Sequence, residues 1–246
     1  MRTFALIILL AVTGCVTTGH TVDKSKMAEG YYTKGLSYLQ EKNYEMASVE
    51  FNRSIQRDSD FKRSYYGLGI ISDYQGKYDD AAKYYQTAID KDPDYSEAYN
   101  ALGVVYLKQK KWKEAIRAFN RALENKLYTT PHIPYLNLGD LYMELKEYDK
   151  AAEAYRESKR FVNTEWTIIK LGTALFEEGK IKEAIAEYQE GIQLAPGNAN
   201  MRYSLAIAYL KIGNKKSALT EFRKAVELAP KSDLAQKANE YIMTLR

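Results

Sequence analysis

The sequence contains very few of the residues from which active sites and metal centres are built. Among its 246 residues there are one cysteine, Cys15, and two histidines, His20 and His132. One cysteine cannot form a disulfide, a zinc cluster or a redox pair within a chain. Neither histidine has a second histidine or a cysteine near it in the sequence, so we assign neither of them to a metal site.

The motifs of common enzyme classes are missing as well. No H-E-x-x-H, C-x-x-C, Walker loop or G-x-S-x-G motif occurs. The carboxylate pairs Asp79–Asp80 and Glu177–Glu178 fall on helix-turn segments, whereas acid–base catalysis needs burial that perturbs a pKa. We therefore predict that the chain is not an enzyme, binds no metal or cofactor, and has no pocket with converging polar groups.

Charge of one sign does not dominate any large part of the chain. Lys and Arg total 36 against 32 Asp and Glu, for a net charge of +4, and the two signs alternate along the sequence. Because a nucleic-acid interface needs a basic face that carboxylates do not interrupt, we expect no nucleic-acid partner. A hydrophobic content of 46% is typical of a folded chain.

Long hydrophobic runs are absent except near the N-terminus. Arg2 precedes an apolar run from Phe4 to Val12, which is too short to span a bilayer as a helix and fits a signal peptide. The run ends in Val12-Thr13-Gly14-Cys15, and this resembles the lipobox of bacterial lipoproteins. An ordinary signal peptide with an incidental cysteine is the alternative.

The lipobox resemblance implies a modified and exported protein. It makes residues 1–14 a signal peptide and Cys15 the site of a covalent diacylglycerol and an N-acyl chain. Val16 stands where lipoproteins of the inner membrane typically carry Asp, so the resemblance implies an outer-membrane protein that faces the periplasm of a diderm bacterium. We read residues 15–27 as the lipidated cysteine and a polar tether.

The rest of the chain has an internal repeat of about 34 residues. A small residue recurs at intervals of 34, 34, 36, 33 and 34 residues: Gly35, Gly69, Gly103, Gly139, Gly172 and Ala206. An alanine follows each of them after twelve residues, and an aromatic residue follows that alanine after four more: Phe51, Tyr85, Phe119, Tyr155, Tyr188 and Phe222.

This pattern resembles the tetratricopeptide repeat (TPR). The resemblance covers residues 28–232 and implies an all-α, right-handed superhelical solenoid of six helix-turn-helix repeats, at 28–61, 62–95, 96–129, 132–164, 165–198 and 199–232. The small residue lets the first helix of a repeat approach the second closely, and the aromatic residue fills the space between neighbouring repeats. The interval of 36 residues reflects an insertion at Leu127 to Pro134, where we expect the local twist to change.

Helix ends can also be predicted from the residues. Three glycines, Gly76, Gly179 and Gly213, should end first helices, and three prolines, Pro93, Pro196 and Pro230, should close second helices. Residues 233–246 should form a C-terminal capping helix with Ser232 as its N-cap. Its apolar stripe is predicted to be Leu234, Ala238, Tyr241 and Leu245.

Positions 5, 9 and 12 of each repeat lie about 100° away from the side of the first helix that faces its partner. Fourteen of the eighteen residues there are apolar or aromatic, although adjacent first helices could cover half of them. We assign thirteen to a partner-binding groove: Tyr32, Leu36, Leu39, Tyr66, Ile70, Asn100, Val104, Leu107, Asp140, Met143, Phe176, Tyr203 and Ile207. The other five are Asp73, Leu136, Ile169, Thr173 and Leu210.

The whole layout resembles the type IV pilus pilotin lipoproteins. It combines a lipobox ending in Cys15-Val16-Thr17-Thr18-Gly19, a short tether and six repeats, and a Leu127-Tyr128 turn near proline opens the fourth repeat. The resemblance implies that the chain helps an outer-membrane secretin to reach its membrane and multimerise. Secretin contact would fall chiefly on Tyr32, Leu36, Tyr66 and Ile70.

Two other functions stay open at this point. The chain could be an envelope adaptor that recruits peptidoglycan hydrolases or outer-membrane assembly factors. It could also be a periplasmic enzyme or a small-ligand binder, which the composition disfavours. In each case we expect a protein that is monomeric in the absence of its partner.

Overall fold

The computed structural model describes the backbone of residues 18–245 and the side chains of residues 24–245. Cys15 and the predicted signal peptide lie outside this range. Within it, all regular structure is helical: there are thirteen helices and no strand, which confirms the all-α class. The helices fall into two compact units, which meet in the sequence between Asp92 and Pro93.

Unit 1, described over residues 18–92, contains two helix-turn-helix pairs. Its helices are α1 (Thr18–Gln40), α2 (Tyr44–Arg57), α3 (Lys62–Tyr74) and α4 (Tyr78–Lys91). Helices α1 and α3 are the first helices of their pairs, and α2 and α4 are the second helices. The core of unit 1 is built around Ala47, Phe51, Leu68 and Ile71.

Unit 2, described over residues 93–245, contains four pairs and one additional helix. The first helices are α5 (Ser96–Lys108), α7 (His132–Glu144), α9 (Glu165–Glu178) and α11 (Ala199–Lys211). The second helices are α6 (Trp112–Glu124), α8 (Tyr148–Phe161), α10 (Ile181–Leu194) and α12 (Lys215–Leu228). Helix α13 (Asp233–Thr244) follows the last pair.

Helix α1 begins ten residues earlier than the repeat pattern predicts. The sequence interpretation placed residues 18–27 in a polar tether, but the structure has them in the N-terminal part of α1. No proline interrupts residues 18–27. Because extending a helix costs much less than nucleating one, the stable segment after Ala28 can propagate helical structure backwards.

The predicted contact between small and aromatic residues is confirmed. A Cβ atom placed on Gly35 would lie 2.5 Å from the ring of Phe51, and one placed on Gly139 would lie 2.4 Å from the ring of Tyr155. A Cβ on Gly67, in the next first helix, would also lie 2.6 Å from the Phe51 ring. The ring is therefore held between the backbones of two first helices, where a larger residue has no room.

Every first helix is followed within two residues by a residue with a left-handed backbone conformation. Glycine occupies this place where the sequence predicted it, with φ angles of 73° at Gly76, 91° at Gly179 and 77° at Gly213. The other three residues are lysines with φ between 58° and 60°: Lys42, Lys110 and Lys146. A lysine in this conformation is strained, because its Cβ approaches the following carbonyl.

We expect Lys110→Gly to raise the free energy of unfolding by about 1 kcal/mol, since glycine relieves the left-handed strain at a modest cost in chain entropy. Gly76→Lys is the reverse control. A Cβ on Gly76 would meet no atom within 4 Å, so only backbone strain is added there. Urea unfolding followed by circular dichroism measures both changes, and equal signs for the two variants would contradict the explanation.

Side-chain caps and prolines set several other helix ends. Asn43, Thr164, Asn198, Asn214 and Ser232 each accept a hydrogen bond from a backbone N–H in the first turn of the following helix. The three predicted prolines each stand two residues after the end of a second helix: Pro93, Pro196 and Pro230.

The capping helix α13 buries only part of the predicted stripe: Ala238 is buried and Leu245 packs partly against the core. Its buried residues are Ala235, Ala238 and Ile242, whereas Tyr241 remains 38% exposed. Tyr241 still contacts the core, because its ring stacks on Phe222 with centroids 4.9 Å apart. The buried stripe of α13 therefore contains Ala235 and Ile242, which the prediction left out.

The insertion before the fourth repeat forms an ordered turn. The Asn125 side chain donates a hydrogen bond to the carbonyl of Asp94 and accepts one from the backbone N–H of Leu127, each 2.9 Å long. Tyr128 is buried, and Leu127 is 86% exposed. The predicted change of twist at this turn stays a prediction.

Within residues 18–245, no helix combines the length and the apolar character that crossing a membrane requires.

Candidate partner-binding groove

The residues that the sequence assigned to the groove all lie on first helices, and none is fully buried. Sixteen of the eighteen are half-buried, and the other two, Leu36 and Asp140, are exposed. They differ in what they contact. Some line open hollows, while others are partly covered by the core of their own unit, as expected for a surface that adjacent first helices share.

Three predicted residues of unit 1 meet in one hollow of about 520 Å³. Leu36 and Leu39 of α1 and Ile70 of α3 form its apolar part. Leu36 is 39% exposed, so a bound apolar side chain could cover it. Predicted residues from two different repeats thus form one continuous apolar surface.

The same hollow has an aromatic wall that the sequence interpretation missed. Tyr44 and Tyr74 stack with ring centroids 5.6 Å apart and planes 24° apart, and Tyr74 is 72% exposed. Gln40 and Lys42 complete the lining with an amide and an ammonium group. Tyr74 directly follows Asp73, the last predicted groove position of α3. Its place beside a groove position is the sequence signal that could have identified it.

Two other predicted residues of unit 1 mainly support the core. The ring of Tyr32 lies 5.7 Å from that of Phe51 and 5.5 Å from that of Phe61, between centroids. Tyr66 lies 5.5 Å from Tyr85 in the same way. Burial raises the pKa of Tyr32, so its phenol stays protonated at neutral pH.

A second hollow of about 460 Å³ lies in unit 2 between α7 and α9. Four residues at predicted positions line it: Asp140, Met143, Ile169 and Thr173. Tyr155 of α8 and Lys170 of α9 complete the lining. The sequence interpretation gave Tyr155 only a packing role and did not single out Lys170, because neither occupies a position that the repeat pattern assigns to the groove.

Three polar groups converge in this second hollow. The Oδ1 atom of Asp140 accepts a hydrogen bond from the hydroxyl of Tyr155 and another from the ammonium of Lys170, each 2.5 Å long. The ammonium also lies 5.0 Å from the ring centroid of Trp166, which is 62% exposed. The prediction that the fold has no pocket with converging polar groups was therefore wrong, because α7, α8 and α9 bring together residues that are distant in sequence.

The electrostatics of this cluster suit binding. Burial and the hydrogen bond to Asp140 raise the pKa of Tyr155, so the phenol remains a hydrogen-bond donor at neutral pH. Lys170 is neutralised by its ion pair with Asp140. The other carboxylate oxygen, Oδ2, makes no hydrogen bond to a described residue, and the Asp140 side chain is 47% exposed. A ligand could therefore donate a hydrogen bond to this atom.

The remaining predicted residues of unit 2 lie beside these features. Asn137 donates a hydrogen bond of 3.0 Å to the side-chain oxygen of Asn100, which links α5 to α7. The others pack partly against the core clusters of unit 2: Val104, Leu107, Leu136, Phe176, Tyr203, Ile207 and Leu210. Among the described residues, no group of three or more His, Cys, Asp or Glu side chains is placed to hold a metal ion.

Comparison with protein families supports the repeat assignment. Residues 28–61, 134–160 and 199–232 match the tetratricopeptide repeat, as do residues 66–126. Residues 172–213 match a further description of the TPR repeat. Together these matches cover most of the segment from residue 28 to residue 232.

Among curated proteins, the chain is similar to part of a much longer protein. It is 30% identical over 77 residues to the BBSome complex member BBS4 of Bos taurus, a match that covers 31% of this chain and 15% of that protein. Such a short overlap reflects shared repeats.

Solved structures include two with nearly the same extent. PilF of Pseudomonas aeruginosa is 21% identical with a TM-score of 0.72, and the match covers 89% of this chain and 99% of that one. PilW, described as a widely conserved type IV pilus biogenesis factor, is 17% identical with a TM-score of 0.65, over 91% of this chain and 100% of that one. These similarities establish the fold.

Proposed function

Because this chain belongs to the tetratricopeptide repeat family, we propose that it is a lipid-anchored scaffold that holds an apolar segment of a partner protein against its first helices. One observation carries the proposal. In unit 1, residues of two repeats form a hollow whose apolar floor and exposed aromatic wall have no covering element among the described residues. Exposed apolar surface of this kind typically marks a binding site.

The shape of the hollow indicates what the partner offers. Leu36, Leu39 and Ile70 suit an aliphatic or aromatic side chain, and Tyr74 can cover it from one side. Buried apolar and aromatic anchors contribute most of the binding energy of many interfaces, while polar groups at the rim fix orientation. We therefore place an apolar anchor of the partner segment in this hollow of unit 1.

For the biological role, we propose a pilotin-like function: localisation and assembly of an outer-membrane secretin in type IV pilus biogenesis. Two features support it. Both PilF and PilW match this chain over almost their whole length, so the similarity includes the number of repeats as well as the fold of one repeat. The lipobox resemblance at Cys15 would place the repeats at the membrane in which a secretin assembles.

The proposal is tested by purification of the full-length chain from detergent-solubilised membranes of its native host. We expect the chain in the outer-membrane fraction and a secretin among the proteins that copurify with it. Cys15→Ala should move the chain to the soluble periplasmic fraction and reduce secretin multimers at the outer membrane at least tenfold, because the acyl chains supply the membrane affinity.

Two other outcomes would contradict parts of the proposal. Copurification of peptidoglycan hydrolases or outer-membrane assembly factors without a secretin would replace the pilotin role by the adaptor role. An unchanged distribution of the Cys15→Ala chain would overturn the lipid anchor. Thr17→Ala, two residues away from the proposed lipidation site, serves as the matched control and should leave the distribution unchanged.

A further inference from the structure

The second helices of the last three repeats each end in an exposed apolar residue. Phe161 at the end of α8 is 56% exposed, Leu194 at the end of α10 is 55% exposed, and Leu228 at the end of α12 is 44% exposed. The corresponding residues of the first three repeats are polar: Arg57, Lys91 and Asn125. The apolar row is therefore specific to one edge of unit 2, which we call the C-terminal edge row.

The row is evenly spaced, with 33 residues between Phe161 and Leu194 and 34 between Leu194 and Leu228. Since successive repeats stack in a regular way, Leu194 lies at the middle of the row. A twofold axis through Leu194 would place it against its own copy in a second chain. Phe161 of each chain would then face Leu228 of the other, so that all six side chains are covered.

The charges beside the row have the same symmetry. The residue preceding each apolar side chain is exposed: Arg160, Gln193 and Glu227 in order along the chain. Their charges are positive, neutral and negative. The twofold axis that pairs Phe161 with Leu228 therefore also brings Arg160 of one chain to Glu227 of the other and pairs the two Gln193 amides. An isologous interface requires this self-complementarity.

The side chains of Arg160 and Glu227 are available for an ion pair between two chains. Among the described residues, Arg160 forms hydrogen bonds only to Glu157 of its own helix, at 3.0 Å and 3.1 Å, and its side chain is 72% exposed. Such a surface ion pair is weak and can be exchanged. Glu227 has no ion pair within the described chain. The nearby Lys159 is already paired with Glu187 and Glu190 of the same chain, so its ammonium group is not free to compete with Arg160.

We infer that the C-terminal edge row joins two copies of this chain in a twofold dimer. The dimer replaces the monomer that the sequence led us to expect. It uses the C-terminal ends of second helices of unit 2, whereas the proposed groove residues lie on first helices. A dimer of scaffolds would present two grooves to a multimeric partner, which would raise the effective affinity for it.

Disulfide cross-linking of the full-length chain in detergent tests this interface, because a cysteine on the axis lies opposite its own copy. Leu194→Cys should give a disulfide-linked dimer on a non-reducing gel after mild oxidation. Ala186→Cys, exposed on the same helix about two turns earlier, should give at least fivefold less. The parent chain controls for any contribution of Cys15.

Charge exchange makes the test specific for the twofold pairing. In the Leu194→Cys background, Arg160→Glu and Glu227→Arg should each lower the cross-linking yield at least fivefold, because each creates two like-charge contacts. The double variant Arg160→Glu with Glu227→Arg should restore the yield. Failure of Leu194→Cys to cross-link, or of the double variant to restore the yield, would overturn the dimer.

A lipid surface is the other possible occupant of an exposed apolar row. For this arm, an environment-sensitive fluorophore is attached to Leu194→Cys, and vesicles of phosphatidylethanolamine and phosphatidylglycerol are added. A blue shift with vesicles in a chain that does not cross-link would assign the row to the membrane and overturn the dimer. A dimer predicts that the fluorescence depends on protein concentration and that vesicles leave it unchanged.

Discussion

Leu36→Glu combined with Ile70→Glu should abolish capture of the partner protein while the chain remains folded. The two side chains lie on neighbouring first helices and line the same hollow of unit 1. Glutamates at both positions would be desolvated by an apolar ligand, and both apolar anchors would be lost. Each lost anchor costs about 2 kcal/mol, so we expect binding to weaken by at least a factor of about 100.

The measurement compares the parent chain and the variant by the amount of secretin that copurifies with each. Once the partner segment is identified, a titration gives the Kd of each chain for it. Val49→Glu is the matched control, because Val49 is 39% exposed like Leu36 and also belongs to unit 1. Val49 lies on α2 and lines a different hollow, with Glu45 and Lys77. Full capture by the double variant would mean that this hollow is not the binding site, and equal loss in the control would point to a folding defect.

Gly139→Val should be the most destabilising substitution within the repeats. A Cβ at this position would lie 2.4 Å from the ring of Tyr155. That ring cannot easily move away, because its hydroxyl is held by Asp140 at 2.5 Å and its side chain is buried. Overpacking of a core position typically costs 1–3 kcal/mol, and we expect about 3 kcal/mol here because the neighbour is fixed at both ends.

Urea unfolding followed by circular dichroism gives the change in the free energy of unfolding. Gly30→Val provides the control, since a Cβ on Gly30, in α1, would meet no atom within 4 Å. This control should be neutral or slightly stabilising, because valine has a higher helix propensity than glycine. A second variant, Gly139→Val with Tyr155→Ala, should cost less than the two single changes together, because removal of the ring makes room for the added methyl groups. Additive costs would contradict the steric explanation.

The repeat architecture could be predicted from the sequence because its signal is local and repeated. A small residue, an alanine and an aromatic residue recur at fixed spacing, and each repetition reports the same contact between two helices. Glycine at Gly76, Gly179 and Gly213 and proline after the second helices mark helix ends through backbone chemistry alone. Lysine has no preference for the left-handed conformation, so the packed helices on both sides must impose it. The sequence therefore did not mark Lys42, Lys110 and Lys146 as helix ends.

The groove was predicted less completely than the fold. Helical periodicity identifies which face of a first helix is accessible, and it selected Leu36, Leu39 and Ile70, which the structure brings into one hollow. It could not show that Tyr74 forms a wall of that hollow. It also could not show that Tyr155 and Lys170, from two other helices, converge on Asp140. These contacts depend on the relative placement of helices, which periodicity within one helix does not contain.

By itself, the sequence determined the class of this protein, because each repeat has an apolar face that only a neighbouring repeat can cover. The same local chemistry determined the helix ends that glycine and proline mark, and the face of each first helix that remains accessible. Only the tertiary structure decided which accessible residues share a hollow and which residues of α13 are buried. These features arise from side chains far apart in sequence, and packing alone brings them together.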